Sequence, residues 1–221
     1  MPKPFDLLPF LLEGASVTVE VTLGAAAVAC AAALLAGLGR LSRRGPVRWL
    51  AGAYVELFRG TSALVQLFWV YFALPMAGIR FEAMTAGILV LGLNTGAYGA
   101  EVVRGAIRAI PRVQHEAALA LNLTPAQEMR YIVLPQAVVA MLPSAGNLLI
   151  ELLKNTSLVS LITLSELTFR AQILRAETLR TMEIFALILV IYFLLALAMT
   201  CGVRTLERRF SYGLAHGRGK N

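Results

Sequence analysis

The chain alternates long apolar runs with short stretches that carry most of its charge. Apolar sequence occupies 15–39, 52–76, 83–103, 131–153 and 182–203. Each run meets the roughly 20 residues that carry a helix across a hydrocarbon core. The pattern predicts an all-α integral membrane protein with five transmembrane helices, forming a single membrane domain over 1–221. Residues 1–14 hold Lys3, Asp6, Glu13 and several prolines and read as a tail lying at an interface. A signal peptide is the alternative reading of 15–39. That run is too long for one, and acidic rather than basic residues precede it.

Arginines set the orientation. Arg40, Arg43, Arg44 and Arg48 follow the first run, Arg104, Arg108, Arg112 and Arg130 bracket the loop 104–130, and Arg204, Arg208, Arg209, Arg218 and Lys220 lie in the tail. Positively charged short loops stay on the cytoplasmic side. Counting spans from an external N-terminus places the same three segments inside, so the N-terminus is expected outside and the C-terminus inside. Residues 165–181 then form an external, helical segment, although Arg170, Arg175 and Arg180 run against the charge bias.

Composition narrows the class. The 221 residues are 58% hydrophobic, and the mean hydropathy of +0.71 is too high for an ordinary soluble domain. The net charge of +7 sits beside apolar runs, with no basic-aromatic surface pattern for nucleic acid. Cys30 and Cys201 lie inside apolar runs and are expected to pack as small hydrophobes. His115 and His216 lie outside the spans, so no intramembrane serine protease or metalloprotease has its histidine. There is no GxxxxGK[ST] phosphate loop and no metal-ligand spacing. The sequence reads as a non-enzyme, with no catalytic residue, no metal and no cofactor bound by this chain, and any energy comes from a partner.

The loop 104–130 carries the most local structure. Pro111 opens a short helix in which Val113, Ala117 and Leu121 recur every four residues. Asn122 tolerates the left-handed backbone that ends a helix. Thr124, Pro125 and Gln127 then spell an N-cap, a first helical residue and a capping box. By itself this helix–turn–helix is compatible with a plain interfacial connector.

Polar residues inside the spans are the other candidates. Asn94, Tyr98 and Glu101 fall on one face of the third span, and Ser144, Asn147, Glu151 and Asn155 on one face of the fourth. Such stripes face other helices or a water-filled cavity, since lipid exposure is costly. Hydrogen-bonding glue between helices is the competing reading. Glu56 and Arg59 are spaced to pair, and Glu101 to pair with Arg104 or Arg108. Lys154-Asn155-Thr156-Ser157 is too polar for lipid and predicts a break and re-entry near mid-membrane. Pro135 and Pro143 are expected to bend the same helix.

Glu116-Ala117-Ala118 with the downstream Ile132-Val133-Leu134-Pro135 resembles the EAA signature of membrane subunits of ATP-binding-cassette importers. FRGTSALVQL, TGAYGAEVVRGAI and LLKNTSLVSLI resemble the polar-amino-acid uptake branch, and the likeness runs from about Ser16 to Phe210. The resemblance implies a type I importer permease with a MetI-like five-helix core in the bacterial cytoplasmic (inner) membrane. Its implied partners are a cytoplasmic ATPase dimer holding ATP and Mg, a second permease (the same chain or a sister), an external solute-binding protein and membrane lipid. It assigns Glu116, Ala117, Ala118, Leu121, Asn122, Leu134 and Pro135 to ATPase coupling, Asn122 standing where the family usually has glycine. The polar stripes nominate Asn94, Tyr98, Asn147, Glu151 and Asn155 for the substrate pathway. The implied substrate is a polar amino acid or an amino-acid-like zwitterion, with ectoine-type solutes a narrower variant. An ion-coupled secondary transporter working without an ATPase is the alternative, and a membrane scaffold without transport is the third reading.

Overall fold

The protein is described by a computed structural model over residues 7–215, with side chains to Arg209. Every regular element among the described residues is helical. The first, α1, runs Leu8–Arg40. Its 33 residues span about 50 Å, well beyond the hydrocarbon core. The helix therefore takes in most of the stretch expected as a tail. The reason is packing: Leu7, Leu11 and Ala15 recur at helical spacing and are buried against Leu167, Ala171, Ile184 and Ile188. Glu13 also pairs with Arg170. The calls on Lys3 and Asp6 lie outside the described residues.

α2 (Gly45–Gly60) and α3 (Ala63–Phe68) replace the expected single span over 52–76. α3 continues through a π-helical turn, Trp69–Ala73, and a 3-10 turn, Leu74–Ala77. The two arms are bent by 102° at Thr61-Ser62, both of which are extended. A broken span needs substitutes for its missing helical hydrogen bonds. Here Gln66 Nε2 donates to Phe58 O at 3.0 Å and to Thr61 Oγ1 at 2.6 Å, and Asn94 Nδ2 reaches the same Phe58 O at 3.0 Å. The hydrogen bonds that hold the break come from single polar side chains, Gln66 and, on another helix, Asn94, which is why hydropathy alone does not reveal it.

α4 (Ala83–Arg108) packs along α1. In a bilayer, helix association depends on close van der Waals approach rather than on hydrophobic burial. Small residues permit it: a Cβ added at Gly92 would lie 2.7 Å from the Val28 Cβ, and one at Gly96 2.7 Å from the Ala32 Cβ. Ala25, Ala29, Ala33 and Ala36 line the α1 side.

α5 (Arg112–Ala120) and α6 (Pro125–Glu128) form the helix–turn–helix. A π-helical turn, Met129–Val133, leads from α6 into α7 (Leu134–Asn155), and a 3-10 stretch, Thr156–Ile162, extends it. The whole of Pro125–Ile162 forms one span. The expected break and re-entry near 154–157 therefore does not occur. The hydroxyls of Thr156, Ser157 and Ser160 bond the carbonyls three residues back, at 2.7, 2.9 and 2.7 Å. Polar sequence tightens the helix instead of breaking it. Pro143 sits inside α7, and the π-helical turn ends at Val133, two residues before Pro135, whose nitrogen has no proton to donate.

α8 (Leu167–Thr178) and α9 (Thr181–Ala215) complete the chain. The tail beyond Ala215, with His216, Arg218 and Lys220, lies outside the described residues. Four helices are long and apolar enough to cross a membrane, or five with the bent pair counted as one span. Cys30 and Cys201 are free and exposed on the chain's outer faces rather than packed inside.

Between the fourth and fifth spans, Glu166 is fully buried. Its carboxylate caps α8 by accepting from Phe169 N at 2.8 Å, and it accepts from Tyr192 Oη at 3.0 Å and Thr18 Oγ1 at 3.4 Å. Burial pushes its pKa above the ordinary carboxylate range, against the hydrogen bonds from Thr168 and Phe169 N–H and from Tyr192 and Thr18. One side chain thus ties α1, α8 and α9 together.

Candidate functional site: the α5–α6 loop and the α4–α7 notch

The loop folds as its residues dictate. Pro111 takes the N-cap position, with α5 starting at Arg112. Asn122 adopts φ 53°, and Leu123 N bonds Ala118 O at 3.1 Å while Asn122 N bonds Leu119 O at 2.9 Å. That pair of bonds is the helix stop usually built with glycine. Thr124 then caps α6, with Gln127 N donating to Thr124 Oγ1 at 3.4 Å and Thr124 N to Gln127 Oε1 at 2.9 Å.

The apolar stripe of α5 does not face the body of the protein. Val113 and Leu121 are 68% and 70% exposed, and Leu119 76%. Glu116 and Ala117 are exposed, while Ala118 is the one buried residue of the helix. α5 touches the rest of the chain along a single edge, which leaves three large apolar side chains, together with Glu116, on an unpartnered face. Leu134 is half-buried and Pro135 exposed at the start of α7. Two side-chain links that sequence reasoning missed hold α5 from the side. His115 Nδ1 pairs with Glu128 Oε1, and Gln136 Nε2 donates to Gln114 Oε1 at 3.4 Å.

A polar notch opens between α4 and α7. Asn94, Thr95 and Tyr98 line it from one helix, and Leu148, Glu151 and Asn155 from the other. Four of the five nominated pathway residues meet there. Asn147 does not line the notch and lies exposed elsewhere on α7. Asn94 is 8% exposed, and its amide hydrogens go to Phe58 O and, at 3.1 Å, to Gln66 Oε1. It therefore clamps the α2–α3 break while its carbonyl oxygen remains for other bonds. Glu151 is exposed and makes no ion pair among the described residues. Thr95 and Leu148 were not foreseen, since neither stands out from its apolar or small neighbours.

Charge gathers at the far end of α4. Glu101 accepts from Arg104 Nε at 3.0 Å and Nη2 at 2.5 Å, and pairs on its other oxygen with Arg40. Arg108 takes no part among the described residues. Glu56 lies 3.8 Å from Arg40 rather than pairing with Arg59. The Arg59 guanidinium lies instead over the Tyr98 ring, 5.2 Å from its centroid. The geometry of α2 turns Arg59 toward α4, which i, i+3 spacing alone does not foretell.

The chain thus presents an exposed apolar helix after a defined turn, and a polar notch within a bundle of long apolar helices. Residues 29–212 match the family of binding-protein-dependent transport system inner membrane components. A probable amino-acid ABC transporter permease protein, y4tF, of Sinorhizobium fredii is 44% identical over 96% of this chain and 92% of its own length. The glutamine transport system permease protein GlnP of Escherichia coli is 38% identical over 91% of this chain and 93% of its own. A solved amino acid ABC transporter with histidines superposes with a TM-score of 0.87 at 34% identity, covering 95% of this chain and 99% of that one. The MetNI methionine ABC transporter, at 21% identity and a TM-score of 0.79, shares the fold over 95% of this chain and 99% of its own.

The chain belongs to the family of inner membrane components of binding-protein-dependent transport systems. It is a non-catalytic permease subunit of an ATP-binding-cassette importer of type I, a family whose ATPase and substrate-binding protein are separate subunits.

Proposed function

We propose that this permease carries a polar amino acid or an amino-acid-like zwitterion inward, driven by an ATPase that docks on α5. The observation that carries the docking is the unpartnered face of α5, where Val113, Leu119, Leu121 and Glu116 project from a turn fixed by Asn122 and the Thr124–Gln127 capping box. Glu116, Ala117, Ala118, Leu121, Asn122, Leu134 and Pro135 are the coupling residues on this reading. ATP and Mg are held by the partner, with this loop and the C-terminus on the cytoplasmic side and the N-terminus outside.

The substrate reading rests on the named amino-acid and glutamine relatives and on the notch. An unpaired Glu151 carboxylate suits an ammonium group, and Asn94, Tyr98 and Asn155 supply neutral hydrogen-bonding partners for the remainder. Ectoine-type solutes, which carry the same pair of charges, are the narrower variant. The exposed polar side chains of α7, Ser144, Asn147 and Glu151, suit a second permease rather than lipid, so the working unit is a permease pair.

The test is a gentle-detergent pull-down of the tagged chain from its native membranes. The expected result is a co-purifying ATPase with a phosphate loop, lost on Glu116→Lys while the folded permease is retained. An ATPase still bound and fully coupled in that variant would remove α5 from the docking site.

A further inference from the structure

α5 is an odd lever. It buries only Ala118, so little apolar packing sets its angle to the long Pro125–Ile162 span. That span carries Glu151 and Asn155 into the notch. A push on α5 reaches the notch only if something stiffens the joint between them. The Leu121–Leu123 turn joins the two backbones, and side-chain contacts between α5 and the span can stiffen the joint further.

Two side-chain links cross that joint. His115, on α5, pairs with Glu128, the last residue of α6. Gln114, its neighbour, accepts from Gln136 on the first turn of α7 at 3.4 Å, and Gln136 also holds Ile132 O at 2.9 Å. The first link is ionic only when the imidazole is protonated. The other charged or titratable side chains on the elements that meet here are Arg112 and Glu116 on α5, and Arg130 and Tyr131 on the π-helical turn. None of them forms an ion pair with His115.

We propose that His115 and Glu128 are positioning residues that form a strut, charged when His115 is protonated, through which movement of α5 is passed into the notch-bearing span. The proposal rests on the reading of α5 as the ATPase-docking helix. Gln114–Gln136 is a neutral second link and leaves a residual transmission when the first is removed.

The experiment uses the complete complex with its ATPase in liposomes. Cys30 and Cys201, both exposed, are first replaced by alanine, and Asn155→Cys then reports on the notch. The readout is the ratio of labelling rates by a membrane-impermeant maleimide with and without ATP, Mg and vanadate. His115→Ala and Glu128→Gln are expected to bring that ratio about two- to fivefold closer to unity, the range a half-exposed ion pair supports. His115→Arg, which keeps a cation facing Glu128, is expected to restore the ratio, while ATPase binding is unchanged in all three. An unchanged ratio in His115→Ala with the ATPase still bound overturns the strut. So does a His115→Arg ratio no closer to the parent's than that of His115→Ala. An ATPase that fails to bind the parent chain would instead sink the docking reading, and the pull-down separates that outcome from the other two.

Discussion

Glu166→Ala is the perturbation whose cost follows most directly from the structure. The fully buried carboxylate caps α8 through Phe169 N at 2.8 Å, and losing such a cap costs about 1 kcal/mol. The Tyr192 hydroxyl loses an acceptor at 3.0 Å but keeps Thr168 at 2.9 Å, so that loss is a net about 1 kcal/mol rather than a full desolvation penalty. The 3.4 Å contact from Thr18 counts for little, because Thr18 also bonds Gly14 O at 3.1 Å. With the small cavity left behind, the total is about 2–3 kcal/mol. In a chain of this size that lowers the melting temperature by about 5–10 °C. Glu166→Gln keeps the shape and an acceptor, mimics the protonated acid and is expected to melt close to the parent at acid pH. The pH dependence has a definite sign. Burial raises the native pKa above the ordinary value of 4.5, so between the two values the native state holds a proton that the unfolded chain has lost. Stability from this group is fully present below 4.5 and declines as pH rises through the raised native value. Glu166→Gln removes that decline. The assay is thermal unfolding in detergent, followed by loss of the monodisperse size-exclusion peak, at several pH values. A Glu166→Ala protein melting within about 1 °C of the parent would refute the reasoning.

Two other predictions test the bundle and the notch. Gly96→Val places a branched side chain where even a Cβ would lie 2.7 Å from Ala32, 3.1 Å from Ala29 O and 3.1 Å from the Tyr54 hydroxyl. Overpacking of this kind costs about 1–3 kcal/mol and should lower the melting point and the yield of folded protein, whereas a Val at Gly52, where nothing lies within 4 Å, should not. Asn94→Leu removes two hydrogen bonds that hold the α2–α3 break and should reduce thermal stability, while Glu151→Gln should leave stability intact and reduce solute uptake in whole cells. Equal melting of the Asn94→Leu and parent proteins would show that the break is held by Gln66 alone.

Much of the loop was legible in the sequence because its signals are local. Proline at a helix start, asparagine at a left-handed stop and a Thr-x-x-Gln capping box each act within four residues, and all three are found. The apolar runs likewise announced membrane helices, since about 20 apolar residues have few other fates. The direction of the α5 stripe was not legible. Periodicity says that Val113, Ala117 and Leu121 share a face, but not whether the protein itself or something else covers it.

The amino-acid sequence by itself determined that this is a helical membrane protein, and how the loop between the third and fourth spans begins, turns and restarts. Tertiary structure decided the rest. It broke the second span at Thr61-Ser62, because Gln66 and Asn94 supply hydrogen bonds to a carbonyl that the helix abandons. It kept the fourth span whole through Thr156–Ile162, because hydroxyls bond back to their own helix. It placed Glu151 and Asn155 with Asn94 and Tyr98 in one notch and left Asn147 out, and it tied three helices to Glu166. Contacts of this kind join residues far apart in the chain, and no pattern within a single helix encodes which distant partner it will meet.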